Sequence, residues 1–403
     1  MFDPASVRFR GPLTPHVDGF WQELVRLGYA PLSAGHLLQF AAHFSRWLAD
    51  RSLDCGDITD ERVDAFMGKR RSQGYTHFRW SRSLTPLLRY LRGLGVVPAS
   101  RSTVATSRVD QFVASYAGYL ARERGLAAST IRGYSDFARR FVMERPIGSR
   151  LRWERLRPAD ITSFVLREAR RWSVGQVKNE VTALRSLLRY LHVEGRVRSD
   201  LASCVPAVAG WRLAGLPKGL EPDQVRRMLQ ACDPRSTLRV GRRDAAIVRL
   251  LVRLGLRAGD VAALTLDDLD WRAGEIVLRG KGRREGRLPL PQDVGQVLAA
   301  YLRDRRAPTS SRRVFLCSRA PYTPLTTSGL IGAVRCVLRR VGIIGGAHLL
   351  RHTAATQMLR HGASLAEIGH VLRHRQLDTT AIYAKVDFAA LRTLAQPWPG
   401  GAA

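Results

Sequence analysis

The amino-acid sequence predicts a mostly α-helical, multidomain protein in which two N-terminal helical bundles precede an α+β domain with a small β-sheet or hairpin. Three observations predict this fold: an internal repeat in the first half, two breaks in the helical pattern, and one strand–turn–strand pattern in the second half. The chain has 403 residues and 45% of them are hydrophobic, so it can fill several cores. At roughly 150 residues per domain, two or three domains are expected.

The internal repeat defines the two bundles. The segment SLTPLLRYLRGLG at 83–95 matches ALRSLLRYLHVEG at 183–195, and the helical pattern at 32–48 parallels that at 126–142. Apolar residues recur at i, i+3, i+4 and i+7, which predicts about four amphipathic helices in each copy. Ser129 is expected to be the N-cap of a helix in the second copy.

The two breaks set the domain boundaries. The segment 97–108 is polar and lacks a helical stripe, whereas 205–224 contains three prolines, among them Pro222, and several glycines, as a linker does. The predicted domains are two helical domains and a third domain with helices and strands, at 1–105, 106–210 and 217–403.

The third domain mixes helices with one hairpin. The segment 243–264 has helical periodicity, and 274–291 is typical of strand, turn and strand, with Gly280 and Gly282 at the bend. Helices resume after about residue 325.

The positive charge is the strongest global feature of the sequence. Lys and Arg number 65 against 34 Asp and Glu, a formal net charge of +31. Such a surface repels itself unless it meets a polyanion, and nucleic acid is the usual one.

The sequence also bounds the location of the protein. No apolar run approaches the ~18–20 residues of a membrane helix, and the N-terminus lacks the pattern of a signal peptide. The five cysteines are scattered and form no CxxC, so we expect reduced thiols and no zinc site. A cytoplasmic, nucleoid-associated protein without a membrane partner is expected.

Four segments of the third domain carry candidate functional residues. LGLRAGDVAAL contains Arg257 and, three residues later, Asp260, and LRGKGRREGRLPL places Lys281 at the hairpin tip. HLLRHTAATQML places His348 and Arg351 on one helix face, and VLRHRQLDTTAIYAKV places His374 nine residues before Tyr383. Taken singly, each has a simpler interpretation: the cations as solvated side chains and Tyr383 as core packing.

Two histidine pairs have the i, i+4 spacing of metal ligands, His348 with His352 and His370 with His374. Neither pair has the intervening Glu of H-E-x-x-H, and no third ligand stands out. We therefore expect no metal site and no cofactor.

In this order and spacing, the segments resemble the tyrosine recombinase (phage integrase) family over roughly 217–395. The family's hallmarks are an Arg in GLR-x-x-E, a Lys in a GKG hairpin, an H-x-x-R-H helix and an LGH…TT-x-x-Y ending. Arg373 stands where the family usually has Gly, and Asp260 replaces the commoner Glu. Neither departure removes a reacting group, although Arg373 could alter the turn before His374.

The residue types suit phosphoryl transfer. A tyrosine oxygen can attack phosphorus, and the phosphotyrosine ester conserves the bond energy for rejoining. The phenol, with an unperturbed pKa of ~10, needs a base such as His348. Arg257 and Arg351 can grip the phosphate oxygens in a bidentate way. The resemblance implies Lys281 as general acid.

The resemblance also implies that His374 donates a hydrogen bond to the phosphate and that Asp260 orients an arginine. It further implies that 106–210 is a helical core-binding, DNA-binding domain and that 217–403 is the catalytic domain. The predicted function is a site-specific DNA recombinase that cuts and rejoins double-stranded DNA through a 3′-phosphotyrosine, for integration, excision or transposition of a mobile element. A homotetramer on paired DNA sites, a Holliday-junction intermediate and a tail helix at 387–396 that docks on a neighbouring protomer are further implications. Sister recombinases could take part.

Three questions stay open from the sequence. A type IB topoisomerase uses the same reacting groups but acts alone, and a non-catalytic DNA-binding partner of another recombinase would keep only the basic surface. The extra N-terminal domain, 1–105, could contact DNA or protein, and its repeat relation to the next domain favours a DNA-facing bundle.

Overall fold

The computed structural model describes residues 7–98, 107–143, 153–209, 219–232, 239–279, 285–303, 309–374 and 379–386. These residues confirm the predicted fold class, because most of them are helical and three short strands form one antiparallel sheet. The chain separates into two compact units, one of Pro98–Ala214 and one that combines Met1–Val97 with Gly215–Ala403. No helix in the described part of the chain is long and apolar enough to cross a membrane.

The N-terminal bundle has four helices: α1 (Val17–Arg26), α2 (Pro31–Ala49), α3 (Asp60–Ser72) and α4 (Thr85–Gly93). Their apolar stripes meet in one core that includes Leu24, Phe44 and Leu91. A proline with a preset φ begins α2, and the Thr59 side chain caps α3 by accepting a hydrogen bond from the backbone amide of Arg62, the third residue of that helix.

The described residues of the second bundle also form four α-helices: α5 (Arg108–Arg122), α6 (Ala128–Met143), α7 (Pro158–Arg171) and α8 (Val174–Val193). Its core is separate and includes Tyr116, Phe141 and Leu187. The expectation that Ser129 caps α6 was wrong. The Ala127 carbonyl accepts the first helical hydrogen bond, from Ile131, so the helix begins earlier and Ser129 lies inside its first turn.

The remaining helices and the sheet surround a third core that includes Val248, Leu298 and Leu350. The sheet has the order β1-β2-β3, and Ile276 and Leu278 of β2 turn inward to this core. The elements are α9 (Pro222–Ala231), α10 (Arg239–Leu254), α11 (Ala258–Ala263), β1 (Leu269–Asp270), β2 (Glu275–Arg279), β3 (Glu285–Pro289), α12 (Gln292–Arg303), α13 (Thr327–Arg340), α14 (Ala347–Arg360) and α15 (Leu365–Val371).

The structure departs from the predicted elements in three places. The helix expected over 243–264 is interrupted after α10, where Gly255 has φ +61 and packs so closely that an added Cβ would lie 2.4 Å from Leu372. Pro222 begins α9 and is not part of a linker, because proline suits the first turn of a helix. Helix α12 was not predicted. The hairpin bend at Gly280 and Gly282 and the helix expected at 387–396 lie outside the described residues.

Candidate active site

The interruption between α10 and α11 positions Arg257. This residue precedes α11, and its side chain is 45% exposed. Its Nη2 donates to the Arg373 carbonyl oxygen at 3.0 Å, and its Nη1 lies 3.9 Å from Oδ2 of Asp260, one turn along α11. The guanidinium is thereby oriented while much of it stays open to solvent, as a phosphate-binding group requires.

Arg351 occupies the opposite kind of environment. It lies on α14 with only 5% of its surface exposed. Its Nη1 and Nη2 each donate at 2.5 Å, to the carbonyl oxygens of Gly255 and Leu372. These bonds join α14 to the ends of α10 and α15. Burial and the nearby positive charge of Arg257 lower the pKa of Arg351 to about 10, so it remains a cation at neutral pH.

Two histidines lie one turn apart on α14. The rings of His348 and His352 are 4.3 Å apart between centroids, in an edge-to-face arrangement. Burial and the positive charge of Arg351 lower the pKa of His348. Burial, with His348 and Arg351 nearby, lowers the pKa of His352 to about 4. His352 is therefore neutral at pH 7 and has a ring nitrogen that can accept a proton.

Tyr383 lies in a 3-10 turn, Ala381–Val386, and is 2% exposed. Its ring packs in a small separate cluster with Ala355, Leu359, Ile368 and Leu372. Its Oη is 2.9 Å from Nδ1 of His352. Burial raises the pKa of Tyr383, and the positive charge of Arg351 opposes that shift. The phenol thus keeps its proton at neutral pH, and it can pass that proton to Nδ1 when Nε2 carries the ring proton of His352.

His374 follows a tight turn at the end of α15. Its Nδ1 is 2.7 Å from Oγ1 of Thr380, and burial beside Arg351 and Arg257 lowers its pKa to about 4. The preceding residue, Arg373, has φ +53, in the left-handed region that glycine enters without strain. The turn that a glycine would form is therefore present with arginine, and its carbonyl is the acceptor for Arg257.

The structure brings most of the predicted site residues into one cluster. The electrostatic neighbours of Arg351 and His374 include four other members of the predicted set, Arg257, Asp260, His348 and Tyr383, together with His352 and Arg373. The clustered residues are Arg257, Asp260, His348, Arg351, His374 and Tyr383. Lys281 lies outside the described residues. Within the described ranges, no group of three or more His, Cys, Asp or Glu side chains is arranged to hold a metal ion.

His352 was missed as a site residue. The sequence analysis considered it only as half of a possible metal-binding pair, whereas the structure places it at 2.9 Å from the Tyr383 oxygen. The sequence feature that could have identified His352 was its position, next to Arg351 and one turn beyond His348 on the same helix.

The cluster combines two cations with a phenol and an imidazole in hydrogen-bond contact. Two arginines offer bidentate donors to a phosphate, and the buried one keeps its orientation through two backbone carbonyls. A phenol oxygen is already in hydrogen-bond contact with a neutral imidazole, the arrangement of a nucleophile and its base.

Comparison with known proteins agrees with this geometry. Residues 218–390 match the phage integrase family. The chain is 42% identical to the putative integrase/recombinase y4rA of Sinorhizobium fredii (strain NBRC 101917 / NGR234), over 97% of this chain and 96% of that protein. It is 30% identical to the tyrosine recombinase XerD of Listeria monocytogenes serotype 4b (strain F2365), over 69% of this chain and 95% of XerD.

Among solved structures, the XerH site-specific recombinase in a post-cleavage complex with palindromic difH substrate has a similar fold. The TM-score is 0.53 at 18% identity, over 97% of this chain and 99% of the XerH chain. From the full-length similarity to y4rA, the match to the family and the shared fold, the chain belongs to the tyrosine recombinase (phage integrase) family of site-specific DNA recombinases.

Proposed function

We propose that this recombinase cuts and rejoins double-stranded DNA through a covalent 3′-phosphotyrosine on Tyr383, for the integration, excision or transposition of a mobile element. The observation that carries the proposal is the contact between Tyr383 Oη and His352 Nδ1, 2.9 Å long, beside two arginines. It supports the assignment of a nucleophile, a proton acceptor and phosphate ligands to one cluster.

The proposed step exchanges one phosphodiester for another. The oxygen of Tyr383 attacks the scissile phosphorus, the bond to the 5′ oxygen breaks, and the phenol proton passes to a histidine of α14. Arg257 and Arg351 neutralise the charge that develops on the phosphate oxygens, and His374 donates a further hydrogen bond. Lys281 supplies the proton to the departing 5′ oxygen, so the reaction needs neither metal nor cofactor.

The burial of the cluster supports a closed state of the DNA-free chain. A tyrosine that is 2% exposed cannot touch a phosphate on bound DNA. The 3-10 turn Ala381–Val386 must therefore shift with its surroundings before attack, so that Tyr383 reaches the phosphate while a histidine of α14 stays within reach of its proton. A short 3-10 turn is a suitable element for this movement, because its backbone hydrogen bonds are weaker than those of an α-helix.

The assembly is proposed on the same basis. We infer that a homotetramer assembles on two DNA sites, with or without sister recombinases. Strand exchange proceeds through a Holliday junction, and the reaction takes place in the cytoplasm, at the nucleoid. The domains 1–105, 106–210 and 217–403 are supported by a separate large hydrophobic core in the described residues of each, and the N-terminal domain is an additional DNA- or protein-contacting module.

Recovery of covalently bound genomic DNA tests the function. We expect sequencing of the DNA ends attached to the protein to reveal a defined site. A suicide substrate built from that site should then form an adduct even in excess EDTA, because the arginines and His374 neutralise the phosphate charge without a metal. An adduct that disappears on chelation and returns with Mg²⁺ would contradict the mechanism.

The same substrate separates this function from its rivals. A type IB topoisomerase-like enzyme would form adducts at many sites and relax supercoils as a single protomer. A non-catalytic partner would bind the site and form no adduct. A recombinase should convert two sites into exchanged products.

His352 and His348 can be distinguished by matched substitutions. His352→Asn keeps a hydrogen-bonding group near Nδ1 but accepts no proton, so we expect adduct formation to fall by about 10²-fold or more. His348→Asn is the control, because the ring of His348 contacts His352 and its own nitrogens make no described hydrogen bond to Tyr383. A larger loss from His348→Asn than from His352→Asn would assign the proton transfer to His348.

Acid unfolding provides a second measurement on the same variants. The pKa of His352 is about 4 in the folded chain, below the ordinary value of 6.5, so the unfolded chain binds the proton first. Its contribution to stability is complete above about pH 6.5 and is lost as the pH falls toward 4. His352→Asn should therefore make the unfolding free energy less sensitive to pH in this window, as measured by urea titration.

A further inference from the structure

Charge in the N-terminal bundle is divided along the chain. Residues 1–64 contain nine Asp and Glu against six Arg, whereas residues 65–98 contain seven Lys and Arg and no acidic residue. The positive part covers most of α3, all of α4 and the segment that connects them. This division produces a local surface that repels itself unless an anion covers it.

The connecting segment is also where the two copies of the repeat differ most. In the second bundle, α8 has 20 residues and begins at Val174, directly after the two residues that follow α7. In the N-terminal bundle, α4 has 9 residues, and the segment 73–84 replaces the first turns of the equivalent helix. Both helices carry LLRYL, so this part of the core is shared, and the two copies differ in the segment that precedes it.

Internal contacts hold this segment in one conformation. The buried guanidinium of Arg70 lies 3.9 Å from the centre of the Tyr75 ring, and its Nη2 donates to the His77 carbonyl at 3.4 Å. Phe78 stacks on Phe40 at 4.9 Å between ring centroids. The segment is therefore preorganised, which lowers the entropy that a binding partner must overcome.

The groups that this conformation exposes are cationic and aromatic. Trp80 is 62% exposed and Tyr75 41%. The side chains of Lys69, Arg79 and Arg82 are exposed and form no ion pair with a described carboxylate. The helix dipole explains why a cation such as Lys69 is favourable in the last turn of α3. It does not explain the other exposed cations or the exposure of Trp80.

We infer that Lys69, Arg71, Tyr75, Arg79, Trp80 and Arg82 form a second DNA-binding surface, here called the 69–82 surface. The inference rests on the proposed function, which supplies duplex DNA as the polyanion. The cations bind backbone phosphates, and Trp80 packs against the sugars at the groove edge. A protein partner fits the 69–82 surface less well than DNA does, because the surface offers two separate aromatic rings and no aliphatic patch.

The full-length chain with two paired substitutions tests the 69–82 surface. The test variant is Arg79→Ser with Arg82→Ser, and the control is Arg8→Ser with Arg10→Ser, which removes the same charge from exposed positions at the acidic end of the bundle. The probe is a 60-base-pair duplex, titrated by fluorescence anisotropy at several salt concentrations. The test variant should lower the slope of log K against log salt by about 1.8, or 0.9 for each lost phosphate contact. The control should keep the wild-type slope.

Trp80→Ala separates the aromatic contact from charge. It should weaken binding without changing the salt slope, because no phosphate-binding cation is removed. An unchanged slope and affinity in the test variant would overturn the inference. Unchanged DNA binding with lost tetramer assembly, measured by light scattering, would also overturn it and would identify a protein-contact surface instead. If the wild-type chain forms no covalent adduct but the test variant still loses DNA affinity, the proposed recombination is contradicted, whereas the inference of a DNA-binding 69–82 surface is supported.

Discussion

Replacing Tyr383 with Phe is expected to abolish covalent protein–DNA adducts while DNA affinity stays near that of the wild type. The change removes the attacking oxygen and keeps the ring, and affinity depends on the cationic surfaces. Loss of the hydrogen bond to His352 should lower the unfolding free energy by about 1 kcal/mol. Denaturing gels of labelled suicide substrate and a urea titration measure the two effects.

Tyr322→Phe is the control for this experiment. Tyr322 is the nearest tyrosine upstream of Tyr383 in the sequence and lies outside the clustered site residues. Its variant should form adducts at the wild-type rate. An adduct formed by Tyr383→Phe would mean that another residue is the nucleophile, and peptide mapping of that adduct would identify it.

The two arginines are expected to have similar effects on cleavage and different effects on stability. Removing either guanidinium should reduce adduct formation by about 10²–10³-fold, because a donor to the transition state is lost. Arg351→Ala also leaves the buried carbonyls of Gly255 and Leu372 without their donors and creates a cavity, so we expect a stability loss of about 3 kcal/mol or more. Arg257→Ala removes one hydrogen bond from a half-exposed side chain and should cost about 1 kcal/mol or less.

Arg257→Ala is therefore the cleaner test of phosphate binding, since a folded protein without activity can be attributed to chemistry. Arg253→Ala is the matched control. Arg253 is an exposed residue of α10, and its ion pair is with Asp293, which is not one of the clustered site residues. It should leave adduct formation unchanged. Equal losses in Arg253→Ala and Arg257→Ala would show that general positive charge, and not the site, supports cleavage.

Local sequence patterns were sufficient for the fold class, and they indicated candidates for the reacting residues. The helical periodicity of the LLRYL repeat and the alternation around Ile276 depend on neighbours within a few residues, so the sequence alone determined the bundles and the hairpin. The order of the charged segments likewise indicated Arg257, Arg351 and Tyr383 before any contact was known. Local patterns failed at Gly255, where a close approach to Leu372 ends a helix that periodicity would have continued.

Only the tertiary structure decided how these residues meet. The partner of Tyr383 is His352, 31 residues away in the sequence, and the acceptor of Arg351 at Gly255 is 96 residues away. Such pairs arise when α14 packs beside the ends of α10 and α15, and no local period encodes them. The sequence therefore determined which groups are available for the chemistry. The packing of the helices determined that the tyrosine is buried against a neutral histidine, because a pKa and a hydrogen-bond partner depend on burial and on nearby charges that come together only in the folded chain.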